Sequence, residues 1–119
     1  MKKIILSFLL FSFGIFGISS AEVKPFEALE LADFKKEIKN SIVIDIRTPG
    51  EIILGKITKD ALEMDFYEEK KFKEDLNKLD KTKQYLIYCR SGNRSDSTKS
   101  IMKDLGFSNV NDLDGGIII

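Results

Sequence analysis

From residue 31 onward, apolar positions follow two alternating rhythms. Leu31, Phe34 and Ile38 fall at helical spacing, and Asn40-Ser41 closes that segment. Ser41-Ile-Val-Ile-Asp-Ile46 is a short run rich in β-branched residues, the pattern of a strand buried on both faces. Arg47-Thr-Pro-Gly-Glu51 interrupts it with turn-forming residues. Ala61 to Met64 suits a short strand. Phe72, Leu76 and Leu79 mark a second helix, with the Lys and Glu residues of 68–83 as its solvated face. Gln84 to Tyr88 predicts a second buried strand. Ser95 to Leu105 predicts a third helix, with Ile101, Met102 and Leu105 on one side. Gly106 is placed to end that helix in a left-handed cap on which Phe107 packs back. Val110 to Leu113 predicts a third strand, before the Gly115-Gly116 turn. Short buried strands alternating with amphipathic helices predict an α/β fold with a small, mostly parallel sheet flanked by helices. Ligands of such sheets bind beyond the carboxyl ends of the strands. Cys89, Asp45 and Arg47 all fall there.

The N-terminus follows a different pattern. Met1-Lys2-Lys3 is basic, Ile4 to Ile18 is almost wholly apolar, and Ser19-Ser20-Ala21 offers small residues before Glu22. This predicts a secretory signal peptide over residues 1–21, cleaved after Ala21, and hence a periplasmic or otherwise exported domain over 22–119. The apolar run is shorter than the roughly 20 residues a spanning helix needs, so no stable membrane insertion is expected after cleavage. Of the 19 Lys and Arg residues, 17 remain without Lys2 and Lys3, against 19 Asp and Glu, for a net charge of −2. That balance gives no reason to expect nucleic acid as a partner. The chain has one cysteine and no histidine, so it forms no internal disulfide and matches no zinc-ligand pattern. No metal and no organic cofactor are expected.

The single thiol stands in Tyr-Leu-Ile-Tyr-Cys-Arg-Ser-Gly-Asn-Arg-Ser, residues 85–95, which also holds two of the three arginines. A thiolate is the reactive form of cysteine, and three features here favour it. Arg90 and Arg94 bring positive charge. Gly92 lets the backbone turn its N–H groups inward as an anion nest. Ser95 is expected to open a helix whose N-terminal end is partly positive. A lone cysteine is more commonly a small buried hydrophobe, but that role leaves the two arginines and the glycine without a purpose. Two chemistries use such a cradle. Phosphate-ester hydrolysis uses Cys, five residues, then Arg; here the count from Cys89 to Arg94 is four, one short. The other is sulfur transfer through a persulfide.

Cys89-Arg-Ser-Gly-Asn-Arg-Ser95 resembles the active-site loop of single-domain rhodaneses, the thiosulfate sulfurtransferases. Ile44-Asp-Ile-Arg-Thr-Pro-Gly-Glu51, Gly55-Lys56-Ile57 with Ala61, and Leu105-Gly-Phe107 with Val110 and Leu113-Asp-Gly-Gly-Ile117 are similar to the family's other ordered motifs. With its leader, the chain is similar to the periplasmic, phage-shock-type members. The resemblance implies a rhodanese-like fold and a persulfide on Cys89. It implies that the backbone from Arg90 through Ser91, Gly92, Asn93 and Arg94 to Ser95 holds the donor, with Asp45 and Arg47 in support. A small anionic donor such as thiosulfate and a thiol or cyanide acceptor are the expected partners. A sulfur carrier or binding module without turnover is the alternative. An Arg47–Glu51 ion pair is expected to brace the turn after the first long strand. The chain departs from the family in two places. Lys56 replaces the usual His, and the sequence stops at Ile119 where the family continues to a Trp and a final helix. The domain is therefore expected to be naturally short or truncated, with apolar surface near Ile117 to Ile119.

Overall fold

A computed structural model describes residues 23–119. The expected leader, 1–21, lies outside the described residues. In chain order the elements are β1 (Ala28–Leu29), α1 (Leu31–Glu37) continued by a 3-10 turn (Ile38–Asn40), β2 (Ile42–Asp45), α2 (Pro49–Ile52), β3 (Leu62–Glu63), α3 (Glu69–Asn77), β4 (Gln84–Tyr88), α4 (Asn93–Asp104) and β5 (Asn109–Leu113). The strands form one sheet in the order β1-β5-β4-β2-β3, and every pairing in it is parallel. The α/β expectation holds.

The pleat divides the core. Successive side chains of a strand point to opposite faces. Tyr85 and Ile87 of β4 therefore join Ile44, Phe72, Leu76, Met102 and Val110 on the face covered by α3 and α4. Leu86 and Tyr88 join Phe34, Val43 and Leu113 on the α1 face. Cys89 continues the Tyr85–Ile87 alternation and faces α4. The position of the sulfur thus follows from the strand's period.

Two short elements differ from the sequence expectation. Residues 47–51, expected as a turn, lead into the single-turn helix α2, which runs on to Ile52. Thr48 caps it: its Oγ1 accepts the Glu51 N–H at 3.3 Å, and Glu51 Oε1 accepts the Thr48 N–H at 3.0 Å. Pro49 at the first helical position loses no hydrogen bond there. The second is β1, whose two residues pair with Asp112 and Leu113. Gly106 behaves as expected. It adopts a left-handed φ of 100°, and the Phe107 N–H closes the cap on Met102 O at 3.0 Å.

Candidate active site

Cys89 follows β4 directly and has no exposed surface. The next turn is tight because Gly92 takes φ 97°, a left-handed conformation that costs a glycine little. This turn brings the Gly92 N–H to 3.1 Å from Cys89 Sγ. Helix α4 begins at Asn93, two residues earlier than expected, with Gly92 as its N-cap. Asn93, Arg94 and Ser95 thus open the helix, and their N–H groups have no intrahelical acceptor. Arg90, Ser91 and Asn93 are exposed, whereas Ser95 is buried with its Oγ 3.6 Å from the sulfur. The loop is closed from behind by the double glycine. A Cβ on Gly116 would come within 2.3 Å of Arg90 O and 2.6 Å of Ser91 N, so only glycine permits this approach. The Ile117 N–H donates to Cys89 O at 3.0 Å and ties the same surface down.

The two loop arginines have different roles. Arg94 makes a two-pronged ion pair with Glu51, at 2.8 and 2.9 Å, and lies over the Tyr67 ring. That partner raises the Arg94 pKa and, with the Thr48 contacts, holds the Glu51 carboxyl down to about 2. The charge of Arg94 is therefore largely balanced by Glu51. Arg90 has no ion-pair partner among the described residues.

The expected Arg47–Glu51 pair is not formed. Arg47 instead pairs with Asp45, its Nε and Nη2 donating at 2.9 and 2.7 Å. The reason is geometric. Residues i and i+2 of an extended chain share a face, and α2 starts only at Pro49, beyond Arg47. Asp45 also accepts the Arg47 N–H at 3.0 Å and the Tyr88 O–H at 2.6 Å. Arg47 Nη2 donates to Gly55 O at 2.7 Å, and Tyr88 Oη accepts the Ile57 N–H at 3.0 Å. Burial and the Asp45 contact raise the Tyr88 pKa. Asp45 and Arg47 thus support the site by anchoring the 47–57 segment beside the loop. Lys56 braces the same segment, donating to Ala61 O and Glu63 Oε2, both at 2.9 Å.

Sequence reasoning passed over three residues that pack around the loop and the start of α4. Tyr67 underlies Arg94. Asp112 of β5 accepts the Ser95 hydroxyl at 2.6 Å, and Lys99 of α4 stands 2.8 Å from the other oxygen of Asp112. The available signal was a charged residue inside an otherwise buried strand, and a lysine one helical turn beyond Ser95. At the C-terminus, Ile117 packs on the α1-side core while Ile118 and Ile119 are exposed.

Known proteins resemble this chain in sequence and in fold. Residues 28–117 match the rhodanese-like domain family. A sulfurtransferase of Allochromatium vinosum is 31% identical over 96 residues, covering 81% of this chain and 86% of that protein. The tRNA uridine(34) hydroxylase of Pelagibacter ubique is 35% identical over 80 residues, covering 67% of this chain but 26% of the enzyme, so the chain spans about a quarter of that relative's length. Among solved structures, a rhodanese-related protein from Thermoplasma volcanium superimposes with a TM-score of 0.66 at 30% identity, covering 76% of this chain and 85% of that one. A family match that spans residues 28–117 and a similar protein of nearly the same length settle the assignment: the chain belongs to the rhodanese-like domain family.

Proposed function

We propose that the protein is an exported sulfurtransferase that moves a sulfane sulfur through a persulfide on Cys89. The Cys89 thiolate attacks the outer sulfur of thiosulfate or a similar anionic donor. The donor S–S bond breaks, sulfite leaves with the bonding pair, and the transferred sulfur stays on Cys89. A thiolate or cyanide acceptor then attacks that outer sulfur, and Cys89 departs as a thiolate. Neither step takes up electrons from outside, so no metal or organic cofactor is assigned. The observation that carries this reading is the Gly92 N–H directed at Cys89 Sγ from 3.1 Å, in a loop that leads into a helix N-terminus. In this reading Arg90 attracts the donor anion and the opening amides of α4 receive its oxygens, as helix N-termini do for anions.

The test is the intact mass of the protein before and after thiosulfate. The expected gain is one sulfur, about 32 Da, discharged by cyanide and absent in Cys89→Ser, because only the thiolate is nucleophilic enough to form it. Folded protein with a free thiol that gains nothing would overturn the reading.

The second reading is a carrier that hands sulfur to a protein partner. It is favoured by the absence of exposed surface on Cys89 and by the size of the matched segment, a quarter of the Pelagibacter enzyme. It predicts normal sulfur loading with slow discharge to small acceptors.

A further inference from the structure

Three side chains from three neighbouring strand ends meet on one flank of the thiol loop, and their order follows from the sheet. β3, β2 and β4 run parallel and in register, with Asp45 opposite both Glu63 and Tyr88. The segments that leave their carboxyl ends therefore emerge side by side, and they carry Tyr67, Glu51 and, past the loop, Arg94. Arg94 meets both of the others. Its guanidinium lies 5.3 Å from the centre of the Tyr67 ring and donates twice to Glu51, at 2.8 and 2.9 Å. Glu51 is itself held in place: its Oε1 accepts the Thr48 N–H at 3.0 Å and the Thr48 hydroxyl at 3.1 Å, within the capping box of α2. Glu51 leads the groups that raise the Arg94 pKa, and Cys89 and Tyr67 are among the others. The guanidinium thus lies within electrostatic reach of the sulfur while its charge is committed to Glu51.

We propose that Glu51 sets the charge of the sulfur donor that Cys89 accepts: by holding Arg94, it disfavours dianionic donors relative to monoanionic ones. Glu51 is a positioning residue that acts through Arg94. The proposal rests on the sulfurtransferase reading above and concerns its donor. An approaching anion responds to the sum of the fixed charges around the loop, and its response grows in proportion to its own charge. Arg47 is paired with Asp45, and Lys99 with Asp112, so each of these couples adds little to that sum. Arg90 is exposed, and salt screens it. Arg94 is the partly buried cation of the loop, and Glu51 cancels it. Without the carboxylate, the net charge of this pair rises from zero to one. A donor with two negative charges then gains twice the attraction of a donor with one.

The experiment measures the second-order rate constant of sulfur loading in the full chain, by quenching and intact mass, with two donors. Thiosulfate is a dianion. Methanethiosulfonate is a monoanion with the same kind of outer sulfur: the Cys89 thiolate bonds to that sulfur, the donor S–S bond breaks, and methanesulfinate leaves with the bonding pair. Glu51→Gln removes the charge and keeps an oxygen for Arg94 and Thr48. It is expected to speed loading from thiosulfate by on the order of fivefold and from methanethiosulfonate by about twofold, the square root, as proportionality to charge requires. The ratio of the two gains cancels any loss common to both donors. It should fall toward one as salt rises from about 0.01 to 1 M and the screening length shortens from about 30 to 3 Å. A displaced loop would slow both donors alike and would not answer to salt. Glu51→Ala, which gives up the cap as well as the charge, should show the same ratio and decides the matter if Glu51→Gln does not fold. A folded variant with equal gains for the two donors overturns the proposal, and so does a raised ratio that persists unchanged at high salt. If the unaltered protein loads from neither donor, the sulfurtransferase reading fails and this proposal with it. If it loads from both and the variants leave the ratio at one, the donor proposal alone fails.

Discussion

Asp45 and Asp112 are both buried carboxylates near the carboxyl ends of their strands, and each has a cation on its own side of the molecule. Their surroundings differ. Asp45 accepts four hydrogen bonds, three of them from Arg47 and one from Tyr88, and no oxygen is left over. Asp112 accepts one aligned bond from Ser95 and has a lysine beside, rather than in line with, its other oxygen. A saturated buried carboxylate is rigid, and its role is to fix the segment that its partners belong to. A partly satisfied one keeps a choice of partner, and Asp112 meets Cys89 only through Ser95, whose hydroxyl lies between them. The same residue type in the same fold thus braces a segment in one place and borders the thiol loop in the other, and the count of aligned donors distinguishes the two.

Substitutions can break or sharpen this contrast. The largest effect is expected on the braced side. Arg47→Met strands the Asp45 charge and should lower stability by about 3–5 kcal/mol in denaturant unfolding, as loss of one partner of a buried pair does. Tyr88→Phe removes one of the four donors to Asp45 and leaves the Ile57 N–H without its acceptor. A loss of about 1–3 kcal/mol is expected. A third effect depends on pH. Glu51 is held down to about 2 in the folded protein by its bonds to Arg94 and Thr48, against an ordinary 4.5. Its stabilising contribution is therefore complete above about pH 4.5 and fades as pH falls toward 2. Glu51→Gln should flatten the fall in stability across that window, measured by denaturant midpoint at each pH. The smallest effect is expected at Lys56, whose partner Glu63 is largely solvated. Lys56→Met should cost less than about 1 kcal/mol and leave sulfur loading intact.

Where the chemistry lies in consecutive residues, the sequence was informative. Cys89, Gly92 and the two arginines could be recognised as a cradle because the loop is local. The parallel sheet followed from the alternation of apolar runs, and the left-handed cap from Gly106. Features settled across the chain were harder to read. Two-residue β1 has no periodicity of its own and exists because β5 offers it an edge. Helix α2 was announced by Thr48, Pro49 and Glu51, a capping pattern that the turn residues obscured. The partner of Arg47 was misjudged because it was sought across the following turn, whereas Asp45, two residues back, shares its face of the extended chain. Arg94 was recognised as a loop cation, but its neutralisation by Glu51 depends on α2 and α4 meeting in space. Asp112 reads as one acidic residue among several, since its link to Ser95 and Lys99 needs the pairing of β5 beside β4.

The approach of Gly116 to the Arg90–Ser91 peptide has a consequence for motion. With no side chain between them, the two stretches of backbone cannot shift independently, and the bond from the Ile117 N–H to Cys89 O joins them again. Any opening of the loop must therefore disturb the strap after β5. The Ile117 amide becomes a reporter of that opening. Its exchange with deuterated solvent should slow when a persulfide or a bound anion holds the loop shut, so the time the thiol spends accessible can be read about one strand away from the sulfur itself.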